Sequence, residues 1–155
     1  MALEKKNIDG LDAKIITMLQ TDGRISNTEI GKSLSVSEAT VRSRIKRLMD
    51  EEIIQVVAVA NPLKLGFEIA GDLYITVEMA KMENVIRAIS GFRELWYIVA
   101  TTGRANLNAE FVVNSLEELH ELVYNRLSRI DGVRQVETAV IMKYVKRRYD
   151  FGTHI

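Results

Sequence analysis

Arg24 to Leu48, RISNTEIGKSLSVSEATVRSRIKRL, spells two short helices separated by a tight turn. Ser26 precedes the first helix and Glu29 lies three residues on. This is a capping box, in which the hydroxyl takes one free backbone N–H and the carboxylate takes the other. Ile30 and Leu34 form an i, i+4 apolar pair. Ser35-Val36-Ser37 breaks that periodicity, and Ser37 is placed to N-cap a second helix running to about Asp50. On that helix Val41, Ile45 and Leu48 stack along one face. Ala39, Arg42, Ser43, Lys46 and Arg47 fall on the other side. Small, hydroxylic and basic side chains sharing one face suit a helix that enters a major groove. Phosphates need Arg or Lys, and base edges are read by forked or hydroxyl groups. A charged outer face alone is equally a solvated amphipathic helix, so it is the preceding helix and turn that favour DNA. The expected DNA contacts are Ser37, Ala39, Thr40, Arg42, Ser43, Lys46 and Arg47.

Working outward, a further helix begins at Asp9 or Asp12, either of which can cap it. Leu11, Ile15, Met18 and Leu19 form its apolar stripe. Asp22-Gly23 ends it, with Gly23 expected as a left-handed cap. Three such helices make a head spanning residues 1–60. After Glu52 the run Ile53 to Val59 is β-rich and predicts a strand, the place where a wing would start. Asn61-Pro62 follows at once and leaves no second wing strand, so a neighbouring chain is a candidate partner. Residues 60–68 hold the only proline and two turn signals, and mark the linker.

From residue 69 to 155 the pattern alternates. Leu73 to Met79 predicts a strand and Met82 to Ser90 a helix stopped by Gly91. Leu95 to Thr101 predicts a strand, Thr102-Gly103-Arg104 a turn, and Ala105 to Val113 another strand. Ser115 opens a helix with a second capping box to Glu118, Asp131-Gly132 turns the chain, and Val133 to Val145 is the last strand. The order βαββαβ is ferredoxin-like, with both helices on one face of an antiparallel sheet. The whole is therefore α+β, a helix-turn-helix head joined to a βαββαβ domain. Tyr74, Trp96 and the apolar residues of Leu95 to Ala100 predict that the open sheet face packs against a second copy of the chain.

Composition bounds the rest. The 155 residues are 47% apolar and 27% charged with zero net charge, which leaves nucleic-acid binding to a local patch. Residues 1–60 carry nine basic and nine acidic side chains, yet residues 42–47 hold four basic ones and no acid. The absence of cysteine excludes disulfides and thiolate metal sites. MALEKKNIDG has no apolar signal core, and no run is long enough to span a bilayer, so a cytoplasmic protein without membrane partners is expected. The two histidines are His120 and His154. With no metal-ligand spacing, phosphate-binding glycine loop or nucleophile motif, no enzyme, metal or cofactor is expected.

The motifs taken together resemble the Lrp/AsnC family, the feast/famine regulators. The likeness rests on Ile8-Asp9, Leu11-Asp12, Ile15-Ile16, Leu19-Gln20 and Asp22-Gly23-Arg24-Ile25-Ser26. It continues through Leu34-Ser35-Val36-Ser37, Val41 to Leu48, Ile53-Ile54, Asn61-Pro62 and Gly66, and covers about residues 8 to 146. The resemblance implies a transcription regulator that binds a pseudo-palindromic duplex DNA operator. It implies dimers formed through the C-terminal domain, assembling into tetramers or octamers. It also implies an amino-acid effector bound around a turn between the two middle strands. Here that turn is Thr102, Gly103, Arg104, Ala105 and Asn106, with Thr138 and Val140 of the last strand as the opposite wall. Ala105 stands where the family usually has an aromatic, and Asn106 where it usually has an acid. A neutral Asn cannot pair with an ammonium group as a carboxylate does. Two other readings stand beside this one. In the first the C-terminal domain only assembles the protein and takes no effector. In the second the chain is a small ferredoxin-like enzyme with a helical cap.

Overall fold

The computed structural model of the chain describes residues 8–149. They divide into two compact units. One runs to Val59 and takes up residues 146–149, and the other spans Ala60–Val145.

In the first unit, α1 (Gly10–Thr21), α2 (Asn27–Leu34) and α3 (Glu38–Asp50) form the head. Asp9 caps α1, accepting from the backbone of Leu11 and Asp12, while Asp12 accepts from the Asp9 N–H at 3.1 Å. Both candidate caps thus belong to one box. Ser26 and Glu29 close the corresponding box on α2, and Ser37 accepts from the Thr40 N–H at 3.0 Å to cap α3. Ile15, Ile30 and Val41, one from each helix, are wholly buried together, and Leu11, Met18, Leu34 and Ile45 pack around them. Burying side chains of this size stabilises by roughly 1.5–3 kcal/mol each before entropy is counted.

The junction of α2 and α3 depends on two backbone features. Ser35 lies in the left-handed region at φ 56, and the Val36 N–H returns to the Gly31 carbonyl at 2.9 Å. A Cβ on Gly31 would stand 2.8 Å from the Val36 carbonyl oxygen, so only glycine admits this approach. The expected left-handed cap at Gly23 does not form. Extended Asp22 ends α1, and its carboxylate accepts from the Arg24 N–H at 2.9 Å, so an Asx turn reverses the chain. The expected strand at Ile53 to Val59 is also absent. The Ile53 and Ile54 N–H groups both close on the Leu48 carbonyl, and the residues up to Val59 join no sheet ladder among the described residues. β propensity without a ladder partner gives no strand, and Val56, Val57 and Val59 remain exposed. No wing is formed.

The second unit is a four-stranded antiparallel sheet in the order β2-β3-β1-β4. Its strands are β1 (Ile69–Val77), β2 (Leu95–Ala100), β3 (Leu107–Val113) and β4 (Val133–Val140). Two helices cover one face. One is α4 (Met82–Ile89) and the other is α5 (Leu116–His120), which continues through a π-helical turn Glu121–Arg126 and a 3-10 turn Leu127–Arg129. Leu73, Ile75, Leu107 and Phe111 meet Val85, Ile89, Leu122 and Leu127 between the layers. Gly71 in β1 lets the Phe111 ring approach, since a Cβ there would lie 2.7 Å from it.

Several limits differ from those the sequence suggests. β1 starts at Ile69, where pairing with Val113 begins, and β4 ends at Val140, the partner of Gly71. The second capping box is half formed. Ser115 accepts from the Glu118 N–H, but the Glu118 carboxylate takes the Asn114 N–H at 2.7 Å. The uncovered sheet face is also less apolar than expected. Leu95 turns into the core, and register places Asp72, Asn108, Glu110 and Glu137 beside Tyr74 and Tyr97. Trp96 sits at an irregularity between β2 and β3, half-exposed, with its ring 5.9 Å from that of Tyr97.

Candidate DNA interface and effector turn

Helix α3 presents an exposed stripe of Glu38, Ala39, Arg42, Ser43, Lys46, Met49 and Asp50. Ser37 is exposed at its N-terminus, its hydroxyl 2.8 Å from that of Thr40, which is half-buried. Of the expected contacts, Ala39, Arg42, Ser43 and Lys46 lie together on the stripe. Arg47 does not. Its Nη2 donates to Asp12 at 2.6 Å and its Nη1 lies 3.5 Å from Glu51, which draws the guanidinium against the head. Arg47, expected among the DNA contacts, thereby bridges α3 to α1 within the head.

All four basic residues of α3 are ion-paired within the head. Arg42 pairs with Glu38 and Lys46 with Asp50, each one turn away and each exposed. Arg44 pairs with Asp9 and Asp12, and Arg47 with Asp12. The two classes differ in strength. Exposed i, i+4 pairs are worth about 0.3–0.5 kcal/mol and yield readily to phosphate. Asp12 is 1% exposed and is the sole buried charged side chain among the described residues. Burial pushes its carboxyl up, but the Asp9 N–H and the Arg47 and Arg44 guanidiniums outweigh that, and the net direction is downward. Asp9 is held at about 2 by Arg44 and by the backbone of Asp12. Arg42 and Lys46 are thus the exchangeable cations, while Arg44 and Arg47 fix the angle at which α3 stands.

The turn between β2 and β3 is built from four features. Gly103 has φ 121, a conformation that favours glycine. Thr102 is exposed, and Ala105 is buried. Arg104 is largely exposed and reaches Glu137 at 2.7 Å. Asn106 is committed to the fold, because its Oδ1 accepts from the Val77 N–H at 2.8 Å and its Nδ2 lies 3.5 Å from the Met79 sulfur. Its carboxamide supplies an acceptor where regular pairing of β1 breaks down, between Thr76 and Val77.

Thr138 and Val140 are not brought to this turn within one chain. Thr138 pairs opposite Leu73 and Val140 opposite Gly71, while the turn lies beyond Ile75. At about 3.3 Å per residue, more than one strand residue pair separates the two groups along β1. Thr138 and Val140 instead line a groove of about 470 Å³ with Val136, Leu116, His120 and Tyr124. The His120 and Tyr124 rings stack there at 4.8 Å. Sequence reasoning missed this groove, since i, i+4 spacing gives the ring pair but not the π-helical turn beneath it. Among the described residues, no group of three or more His, Asp or Glu side chains could hold a metal, and no helix is long and apolar enough to cross a membrane.

Residues 8–49 match the family of AsnC-type helix-turn-helix domains, and residues 73–151 match that of Lrp/AsnC ligand binding domains. An uncharacterised HTH-type transcriptional regulator of Pyrococcus horikoshii is 33% identical over 146 residues, spanning 94% of this chain and 92% of that protein. Among solved structures, AsnC of E. coli superposes with a TM-score of 0.80 at 22% identity, covering 93% of this chain and 98% of that one. A Neisseria meningitidis transcriptional regulator, solved as its L-Met complex, superposes at 0.81 with 20% identity, covering 94% and 96%. These two structural likenesses concern the fold.

Proposed function

The chain belongs to the Lrp/AsnC family of transcription regulators, and on that premise we propose that it recognises a specific operator through α3 and answers to an amino acid. The observation that carries the DNA reading is the exposed stripe of α3, with Arg42 and Lys46 held only by weak pairs one turn away. In this reading Arg42 and Lys46 contact phosphate or guanine. Ser37, Ala39, Thr40 and Ser43 allow close approach, and a dimer places two copies of α3 in successive major grooves of a pseudo-palindromic site. Arg47 supports the helix instead of touching DNA. Replacing Arg42 or Lys46 by Ala weakens operator binding, and losing a phosphate contact lowers the salt slope by about 1. Unchanged affinity and slope in both variants would refute the assignment.

The effector is an amino acid bound by the second unit, supported by the ligand-binding family matched at residues 73–151 and by the L-Met complex of the Neisseria relative. Thr102, Gly103 and Arg104 form the accessible part of the turn, with Ala105 and Asn106 shaping it from behind. Thr138 and Val140 contribute only where another copy of the chain meets the turn. Ligand binding then changes the populations of assemblies that differ in the spacing between DNA heads, by binding one assembly more tightly than another. Thermal unfolding against each of the twenty amino acids tests this, because a ligand at one hundred times its Kd stabilises by about 2.7 kcal/mol. The commitment of Asn106 to Val77 favours a second reading, in which the domain assembles without an effector. A midpoint that moves with none of the twenty would select it.

A further inference from the structure

Glu38 is an exposed carboxylate in the first turn of α3, on the stripe assigned to DNA. An unpaired carboxylate there would be repelled by phosphate, yet this one is fixed from two sides. Thr28 on α2 donates its hydroxyl to Oε2 at 2.8 Å, and Arg42, one turn along α3, donates Nη2 to Oε1. Among the described residues, the Lys46–Asp50 pair at the other end of α3 has no such anchor from a second helix. Each carboxylate oxygen of Glu38 keeps a second accepting direction, and the Arg42 guanidinium keeps further donors. The result is an acceptor anchored from a second helix beside the Arg42 donor fork, at the end of the helix whose first residues meet base edges. In the major groove a carboxylate finds its donor on the exocyclic amino group of cytosine, and an Arg fork matches guanine O6 and N7.

We propose that Glu38 and Arg42 act as one base-reading couple, taking a cytosine amino group next to a guanine edge, with Thr28 as the positioning residue. The proposal rests on α3 being the DNA-reading helix. It makes Glu38 a specificity-determining residue and gives Arg42 a base in place of a phosphate.

The test is selection of bound sequences from a random duplex pool by the full-length protein, run in parallel on Glu38→Gln, Thr28→Val and Asp50→Asn. Far-UV circular dichroism melting confirms that each variant folds as the parent does. The parent enriches a site with a cytosine at one fixed position of each half-site. Glu38→Gln loses that preference by at least about five-fold and turns it towards adenine, which Gln reads through N6 and N7. Thr28→Val weakens discrimination at the same position and nowhere else, and Asp50→Asn leaves the preference unaltered. If Glu38→Gln enriches the same sequences as the parent, or if Asp50→Asn changes the preference equally, the couple is overturned while DNA binding stands. If the parent enriches no sequence at all, the DNA-binding reading fails and takes the couple with it.

Discussion

Replacing Asp12 by Ala should cost the head about 3 kcal/mol. Asp12 accepts three bonds at a site 1% exposed: from the Asp9 N–H at 3.1 Å, Arg44 Nη1 at 3.1 Å and Arg47 Nη2 at 2.6 Å. Bonds to a charged group are worth about 1.5–3 kcal/mol each, and loss of the capping partner adds roughly 1 kcal/mol. The two guanidiniums are about one-third exposed, 32% and 35%, so water recovers part of that sum. The total then falls at the lower end of the roughly 3–5 kcal/mol typical of breaking a buried pair. The chain supplies its own way to see this. No aromatic residue precedes Phe67, and Trp96 is the only tryptophan. Tryptophan fluorescence follows the sheet unit, while far-UV circular dichroism also registers the helices of the head. In urea, with a slope of about 1 kcal/mol/M for so small a unit, the dichroism transition should fall by on the order of 2–3 M. The fluorescence transition should stay in place. A shift of the head transition below about 1 kcal/mol would show that the Asp12 network does not dock α3 on α1, and the division between fixed and exchangeable cations would collapse.

Three further outcomes follow from the same geometry. The folded Asp9 carboxyl, held at about 2 first by Arg44 and then by the Asp12 backbone, and the lowered Asp12 carboxyl both lie below their unfolded values. Their stabilisation is therefore complete above about pH 4 and is lost as pH falls towards 2; the urea midpoint of the head should drop across that window, and less so in Asp12→Ala. Ser35→Gly should raise thermal stability by about 0.5–1 kcal/mol by relieving the left-handed backbone at φ 56, whereas Gly31→Ala should cost roughly 1–3 kcal/mol through its clash with the Val36 carbonyl. Asn106→Asp should keep the fold, because a carboxylate oxygen still accepts from the Val77 N–H, while Asn106→Ala leaves that N–H unpaired and should lower the fluorescence-monitored stability by about 1–2 kcal/mol.

What was legible in the sequence was local. Ser26, Glu29 and Ser37 fix helix starts through bonds three residues long, and the apolar spacing of Ile30, Val41 and Leu48 fixes which faces meet. The βαββαβ order followed from period and turn signals in the same way. What depended on other parts of the chain was not legible. Arg47 carries the spacing of the exposed stripe, yet a buried carboxylate on α1, 35 residues away, turns it inward. Ile53 to Val59 has β composition but no partner ladder, and composition cannot supply one. Thr138 and Val140 share a strand with Glu137, which meets the turn through Arg104, but register sets them opposite Leu73 and Gly71, further along β1 from the turn. The hold on Glu38 is likewise not local to α3, since Thr28, ten residues away on α2, supplies one of its two bonds.

The pairing of Arg42, Arg44, Lys46 and Arg47 with acids of the head has a kinetic consequence. A basic surface draws DNA from a distance and speeds its capture, whereas charges cancelled at contact range leave little field beyond a Debye length of about 8 Å. If α3 reads DNA as proposed, the expected association rate is nearer the ordinary value of about 10⁵–10⁶ M⁻¹s⁻¹ than the steered limit, and stopped-flow binding at low salt checks it. Discrimination between right and wrong sequences is then written in residence time. On the proposed reading, a wrong site leaves Lys46 paired with Asp50 and gives the Glu38–Arg42 couple no base to take, so the dwell of one encounter is short.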